Sequence, residues 1–261
     1  MFETIRVEED TRGVAHLWLA RAEKHNALSA AMIGELTQAI GRLGASASVR
    51  VVVLAAEGAS FCAGGDLAWM RAQMAGTAEE RAAGARALAG MLAAMDGCPK
   101  PVIGRVQGNA FGGGIGMMSV CDVAVGVAGA RFGLTETRLG LTPATISPYV
   151  VARMGPARAR RVFMSARLFE AAEAERLGLL ARVVAPEALD AAIEAEVAPY
   201  LACAPGAVAE AKALIALIAG QGRDAEALRA ATEAALVARW ESPEAAEGIS
   251  AFFEKRPPGW A

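Results

Sequence analysis

VQGNAFGGGIGM occupies residues 106–117 of this chain and places three consecutive glycines, Gly112, Gly113 and Gly114, at the start of an apolar helix. The first N–H groups of a helix have no partner within it, and the helix dipole attracts negative charge to that end. Because glycine has no side chain, these N–H groups are left uncovered. Such an end can hold an anion that forms only during a reaction. Glu136 follows 20 residues after Gly116 and is a candidate for moving the accompanying proton.

The composition is that of a globular protein. Of 261 residues, 54% are hydrophobic and 21% are charged, which excludes a disordered chain. The length allows one large core, or one large domain with a small addition. A formal net charge of −2 gives no electrostatic reason to expect a nucleic-acid partner.

The cysteines and the apolar runs bear on the compartment. Cys62, Cys98, Cys121 and Cys203 show no CxxC pairing, so buried thiols in a reducing cytoplasm are expected rather than disulfides or a zinc site. Residues 1–10 are acidic and strand-like, unlike a signal peptide. No apolar run reaches the roughly 18 residues of a membrane span. We therefore expect a cytoplasmic protein without a membrane partner or a metal.

Strand and helix signals alternate in the first half of the chain. Strands are predicted at residues 4–8, 14–19, 49–55, 101–106 and 121–127; helices are predicted at 29–43, where Ser29 is the N-cap, at 78–95, and after the glycine run. Such alternation favours parallel pairing with right-handed crossovers.

From Pro143 onward the pattern predicts helices alone. Short helices are expected at 147–154, 156–164 and 170–177, followed by three or four more from Pro186, with Pro205 and Pro243 also in first helical turns. The prediction is an α/β core over residues 1–200 and a helical C-terminal extension over 201–261. So small an extension buries little alone, and we expect it to pack on the core or on another subunit.

Five motifs, in order along nearly the whole chain, carry a family resemblance. They are HNAL at 25–28, FCAGGDL at 61–67, QGNAFGGG at 107–114, CD at 121–122 and FFEKR at 252–256. Together they resemble the signature of the crotonase (enoyl-CoA hydratase/isomerase) superfamily. The resemblance implies a ββα superhelix core with a helical C-terminal extension, and an acyl-CoA thioester as the substrate, with no further cofactor.

The resemblance assigns the glycines a role. It implies that the backbone N–H groups of Gly65 and Gly113 form an oxyanion hole for the enolate oxygen of the thioester. Glycine suits that role because the missing side chain lets the oxygen approach the backbone. The alternative is a close helix–strand contact that merely leaves no room for a Cβ.

Proton transfer falls to Glu136 by the same resemblance, since it matches the second glutamate of the two-glutamate hydratases. The first position of that pair falls on Gly116. Glu136 on its own would otherwise be a solvated glutamate in a first helical turn. One carboxylate suits a Δ3–Δ2 enoyl-CoA isomerase, yet it can also catalyse hydration if other groups orient the water. A non-catalytic acyl-CoA-binding homologue is the third alternative.

Residues 67–70, 136–143 and 146–151 resemble a methylglutaconyl-CoA hydratase-like subgroup active in leucine and isoprenoid breakdown. We therefore expect an enoyl-CoA hydratase (a lyase) acting on a branched 2-enoyl-CoA such as 3-methylglutaconyl-CoA. A diacid acyl chain needs a cation, and Arg138 is a candidate, although a surface or intersubunit salt bridge is an alternative role for it. Trp69 and Met70 either line the acyl pocket or belong to the core.

The resemblance also implies the binding site for CoA. Its residues would be Lys24, Asn26, Ala27, Ala63, Gly65, Asp66 and Leu67, with Lys255 in a C-terminal element that reaches a neighbouring subunit's CoA. A homotrimer, or a hexamer made of two trimers, is the implied assembly.

Overall fold

The computed structural model describes residues 2–220 and 225–260, which form two sheets and their covering helices. The strands are β1 (Ile5–Glu9), β2 (Val14–Leu19), β3 (Val51–Ala56), β4 (Ser60–Cys62), β5 (Val102–Val106), β6 (Asn109–Phe111), β7 (Val123–Val127), β8 (Arg131–Gly133), β9 (Phe169–Glu170) and β10 (Arg182–Val184). The helices are α1 (Ala30–Ala45), α2 (Leu67–Ala75), α3 (Ala78–Asp96), α4 (Gly113–Val120), α5 (Ser147–Met154), α6 (Pro156–Phe163), α7 (Ala171–Arg176), α8 (Leu189–Leu201), α9 (Pro205–Gly220), α10 (Ala225–Trp240) and α11 (Pro243–Glu254).

The larger sheet has the strand order β1-β2-β3-β5-β7-β10. Only β1 and β2 pair antiparallel, and the other neighbours are parallel. All of β3 is buried, as its continuous apolar sequence predicts for a strand covered on both faces. α8 packs on β3, β5 and β7, while α1 packs on β1 and α3. This parallel sheet confirms the α/β prediction.

The smaller sheet has the order β4-β6-β8-β9 and carries the loops that matter for function. β4, β6 and β8 are parallel to one another, and β9 pairs antiparallel with β8. Their two or three residues are too few for a hydrophobic period, and these strands were not predicted, nor was α2.

Helix boundaries follow the capping residues. The Ser29 side chain accepts a hydrogen bond from the Met32 amide, as predicted for the start of α1. Pro205 and Pro243 stand at the first positions of α9 and α11.

Two expectations from the sequence are wrong. The part after Pro143 is not purely helical, because β9 and β10 lie there and β10 extends the larger sheet alongside β7. β10 has only three residues, so its strand conformation is decided by its pairing with the distant strand β7 rather than by its own sequence pattern. Cys203 is exposed, whereas the other three thiols are buried as expected.

Among the described residues, no single helix is both long and apolar enough to cross a membrane. Two helical segments that meet at a bend of 105°, Pro186–Leu201 and Pro205–Gly220, satisfy the length and composition criteria only when taken together.

Candidate active site

Three loops meet at one edge of the smaller sheet because β4, β6 and β8 run parallel. Cys62 lies beside Ala110, and Phe111 lies beside Gly133, so the three strands end together. The carboxyl ends of parallel strands are where α/β folds place their sites. The loops that follow carry Gly65, Gly113 and Glu136, so the structure delivers all three predicted catalytic residues to this edge.

Gly112 is the point where these loops touch. Its φ of +48° is a left-handed conformation that favours glycine. A Cβ at this position would lie 3.0 Å from Glu136 Oε1 and 3.9 Å from the Cα of Gly64. The Gly112 amide donates to the carbonyl of Gly133, at 3.0 Å. The glutamate therefore lies in the space that a side chain at 112 would take.

Two backbone amides are unused at this edge. Leu28 donates to the Gly64 carbonyl at 2.7 Å, and Asp66 donates to the Leu28 carbonyl at 2.9 Å, so the Gly65 N–H between them points away from Leu28. Gly113 is the first residue of α4, whose N–H has no helical partner. Within residues 2–220 and 225–260, neither amide donates to a protein acceptor. Both are free to bind an oxyanion.

Leu28 connects the two glycine loops. Its backbone bonds to the loop of Gly65, and its Cδ1 lies 2.6 Å from where a Cβ of Gly113 would be. A side chain at 113 would therefore displace Leu28. The sequence motif HNAL contains this residue, but no local signal indicated the contact.

The carboxyl group of Glu136 is suited to moving a proton. Glu136 begins a short 3₁₀ helix, Glu136–Leu139, and burial raises the pKa of its side chain. Its Oε2 is buried and has no hydrogen-bond partner among the described residues. Buried polar atoms are normally paired, so an orphaned carboxylate oxygen indicates a functional group.

Gly116 offers no second acid, and its surroundings are apolar. A Cβ there would lie 2.4 Å from Ile146 Cγ2 and 3.6 Å from Leu92 Cδ2. Ile146 therefore fills the space that a side chain at Gly116 would take, and no local feature of the sequence indicates this contact.

The predicted CoA-binding residues lie mostly in two neighbouring loops. The Ala63 amide donates to the His25 carbonyl at 3.0 Å, which joins residues 24–28 to residues 63–67. Lys24, Ala63 and Leu67 are exposed. Asn26 is wholly buried, and its side chain bonds to the backbone of Arg21, Glu57 and Ser60, so that side chain holds the loop in shape.

Asp66 anchors the second loop. Its carboxylate caps α2 by accepting from the amides of Trp69 and Ala68, and the Trp69 amide is the chief cause that lowers its pKa. Arg21, which the sequence did not single out, donates to Asp66 at 3.2 Å and to the Ala27 carbonyl at 3.1 Å. Asp66 and Arg21 together brace both loops.

A cleft of about 500 Å³ runs along α2 beside this site. It is lined by Leu67, Met70, Arg71, Met74 and Ala75. Met70 Sδ lies 3.4 Å from the Cβ position of Gly65, so the cleft adjoins the free amide. Trp69 packs partly against the core.

Two predicted cations lie outside this cluster. Arg138 is exposed on the 3₁₀ helix of Glu136 and forms no ion pair within the described residues. Lys255 is exposed directly after α11. The chain end near it is fastened to the amino end of β3, where Arg50 donates to the Trp260 carbonyl at 3.0 Å. Among the described residues, Lys255 forms no ion pair and no side-chain hydrogen bond with the loops of residues 24–28 and 63–67.

The fold thus brings two loops with unused backbone amides and one buried carboxyl group to the same edge of the smaller sheet. A sequence model of the enoyl-CoA hydratase/isomerase family matches residues 9–261. The chain belongs to this family, and the crotonase fold predicted from its motifs is confirmed.

Similar proteins include hydratases from distant organisms. Methylglutaconyl-CoA hydratase, mitochondrial, of Homo sapiens is 31% identical over 97% of this chain and 75% of its own length. Crotonyl-CoA hydratase of Syntrophomonas wolfei is 30% identical over 98% and 96%. A crystal structure of an enoyl-CoA hydratase from Shewanella pealeana superposes with a TM-score of 0.95, at 35% identity, over 100% of this chain and 97% of that one.

Proposed function

We propose that this enzyme, an enoyl-CoA hydratase (a hydro-lyase) of the family above, adds water to branched 2-enoyl-CoA thioesters such as 3-methylglutaconyl-CoA. Gly65 and Gly113 hold the thioester oxygen, and Glu136 moves the proton. The observation that carries this assignment is the buried, unpartnered carboxylate oxygen of Glu136 at the edge where both amides are free.

The reaction can proceed with one carboxylate. Glu136 accepts a proton from water as the water oxygen bonds to C3; the π pair of the C2=C3 bond then forms a C1=C2 bond, and the π pair of the carbonyl moves to the thioester oxygen. The two amides bind the resulting enolate oxygen. Glu136 then returns the proton to C2, so the substrate gains one water. A carboxyl group with a raised pKa is suited to both halves of this transfer.

A branched acyl chain is supported by the cleft along α2 and by the relatives named methylglutaconyl-CoA hydratase. A terminal carboxylate requires a cation near the cleft. Arg71 lines the cleft, and Arg138 lies on the helix of Glu136; neither forms an ion pair among the described residues. These two arginines are the candidates for binding it.

The assembly we propose is a homotrimer, or a hexamer of two trimers. Its support is the apolar surface that the C-terminal helices leave uncovered: Ile215 is 70% exposed, Leu236 61% and Phe252 78%. Large exposed apolar patches mark interaction surfaces. Lys255 lies next to this surface in sequence and would meet the CoA of a neighbouring subunit.

Glu136→Gln tests the catalytic assignment. We expect kcat to fall at least about 100-fold, the usual scale of acid–base catalysis, while circular dichroism and CoA affinity stay unchanged. Glu187→Gln, at an exposed position, is the matched control and should retain full activity. Turnover near normal in Glu136→Gln would refute the role of Glu136.

A substrate panel tests the reaction and the acyl chain. Straight and branched 2-enoyl-CoA thioesters are assayed by loss of absorbance of the conjugated thioester. We expect the highest kcat/KM for branched substrates, and a preference for straight chains would overturn that part. The single carboxylate also suits an alternative function, that of a Δ3–Δ2 isomerase. Such an enzyme would convert 3-enoyl-CoA to 2-enoyl-CoA without adding water.

A further inference from the structure

Gly112, the residue directly before helix α4, and Gly116 within that helix are one turn apart, and the space that a side chain would take at each is filled by the same segment of the chain. The Gly116 amide donates to the Gly112 carbonyl at 3.2 Å, so the two positions are stacked along the helix. The space at Gly112 holds Glu136 Oε1, and the space at Gly116 holds Ile146 Cγ2. Residues 134–146 therefore rest on α4 at two points.

The contact between Ile146 and Gly116 is the more tightly packed of the two. Ile146 is only 2% exposed and stands directly before α5, whose Val150 amide donates to its carbonyl at 3.1 Å. A Cβ on Gly116 would lie 2.4 Å from Ile146 Cγ2 and 3.0 Å from its Cβ. Both distances are shorter than a van der Waals contact, and the interior is closely packed. A side chain at position 116 would therefore displace Ile146.

The contact of Glu136 with Gly112 is linked to the contact of Ile146 with Gly116 by residues 137–145. The Leu141 amide donates to the Glu136 carbonyl at 3.1 Å, which closes the turn that begins the segment. The carboxylate oxygen Oε2 of Glu136 has no hydrogen-bond partner among the described residues. The backbone around Glu136 is held on its amino side by the bond from the Gly112 amide to the Gly133 carbonyl and on its carboxyl side by the turn to Leu141, so the position of the carboxylate depends on both sides of the segment.

We propose that Ile146 is a positioning residue for the reaction: its packing into the space above Gly116 sets how deeply residues 134–146 seat on α4, and so places the Glu136 carboxylate at Gly112. Together with Leu92, the Ile146 side chain also fills the space that a second acidic side chain at position 116, and the water bound to it, would need. This inference rests on the proposed role of Glu136 as the proton-transferring group.

A steric double-mutant cycle tests it. Gly116→Ala should push Ile146 outward and lower kcat by about 100-fold, the cost of displacing a catalytic group by about 1 Å, with a much smaller change in KM. Adding Ile146→Ala removes Cγ2 and should recover at least tenfold of that loss, on the order of the coupling expected for residues in contact. Adding Ile146→Val instead keeps Cγ2, and it should not rescue.

Gly41→Ala is the matched control, because Gly41 lies inside α1 with nothing within 4 Å of its Cβ position. It should leave kcat unchanged. The proposal is overturned if Gly116→Ala behaves like Gly41→Ala, or if Ile146→Ala and Ile146→Val rescue equally. A purely structural contact would alter thermal stability in the cycle while leaving kcat of the folded enzyme unchanged.

If Gly116→Ala does not fold, Ile146→Ala alone decides the question. Burial is the main cause of the raised pKa of Glu136, and no neighbouring charge among the described residues contributes to it. Shortening Ile146 admits water to this face, so the acidic limb of the pH–kcat profile should move to lower pH. An unmoved limb with unchanged kcat overturns the proposal. Glu136→Gln in the same assay separates this failure from failure of the proposed function, since it addresses only the carboxylate.

Discussion

α4 and α9 are both apolar helices, yet every residue of α4 after Gly113 is buried, whereas no residue of α9 is. α4 packs against β4, β5 and β6 and against α3 and α5. α9 is instead held at polar points: Lys212 pairs with Asp122 at 2.8 Å and donates to the Lys100 carbonyl, while Glu244 accepts from the amides at its start.

The difference shows that apolar composition predicts a buried helix without saying what buries it. Within one chain, the two sheets together with α3 and α5 cover α4. Two large apolar side chains of α9 stay exposed, Ile215 at 70% and Ile218 at 48%. Since exposing such a surface is unfavourable, a second copy of the chain is the cover we propose.

Truncating a buried side chain of α4 should have the largest effect. Met117 is fully buried, so Met117→Ala should lower the free energy of unfolding by about 2–5 kcal/mol through lost burial and a cavity. Met74→Ala is the matched control, because Met74 is 78% exposed and its removal should stay within about 0.5 kcal/mol. Urea unfolding of both variants measures this, and equal losses would remove the distinction between buried and exposed apolar sites.

Charging α9 should affect assembly rather than folding. Ile215 is 70% exposed in the single chain, and Ile215→Asp would place an unpaired charge in the proposed interface, weakening association by about 2 kcal/mol or more. Sedimentation should then show dissociation at concentrations where the parent assembles. Met164→Asp makes the same change at a position that is also 70% exposed, outside the C-terminal helices, and it should leave the assembly intact. An unchanged sedimentation profile for Ile215→Asp would mean that this face of α9 is not the interface.

The smallest expected effect is on thermal stability and comes from the buried carboxyl group of Glu136. Because the pKa of Glu136 is raised in the folded state, stability from its protonated form is present below the unfolded pKa and is lost as the pH rises through the folded pKa. Glu136→Gln should therefore raise Tm at neutral pH, and the gain should shrink toward acidic pH.

Glu173 provides the opposite sign. Arg167 lowers its pKa, so its contribution is present at neutral pH and is lost as the pH falls through the folded pKa. Glu173→Gln should lower Tm at neutral pH and matter less in acid. Calorimetry across this range checks both variants, and a lower Tm for Glu136→Gln at neutral pH would contradict the assigned burial cost.

Elements with a clear period or cap were predictable from the sequence. β2 spans the predicted residues, β1 and β3 differ from prediction by one or two residues, and α1 begins after its Ser29 cap. The strands that build the active-site edge were not predictable, because three-residue strands are defined by their partners rather than by their own pattern. Gly65, Gly113 and Glu136 were named from motifs and do meet at one edge. The contact between Ile146 and Gly116 joins residues 30 positions apart, and no local signal marks it.

Leu28 links the two glycine loops, so one position contacts both amides of the proposed oxyanion site. Its backbone fixes the loop of Gly65 and its side chain fills the space at Gly113. The distance between the two amides therefore depends on Leu28, although Leu28 supplies neither of them. A substitution at Leu28 can therefore change the distance between the two amides while Gly65, Gly113 and Glu136 remain in place.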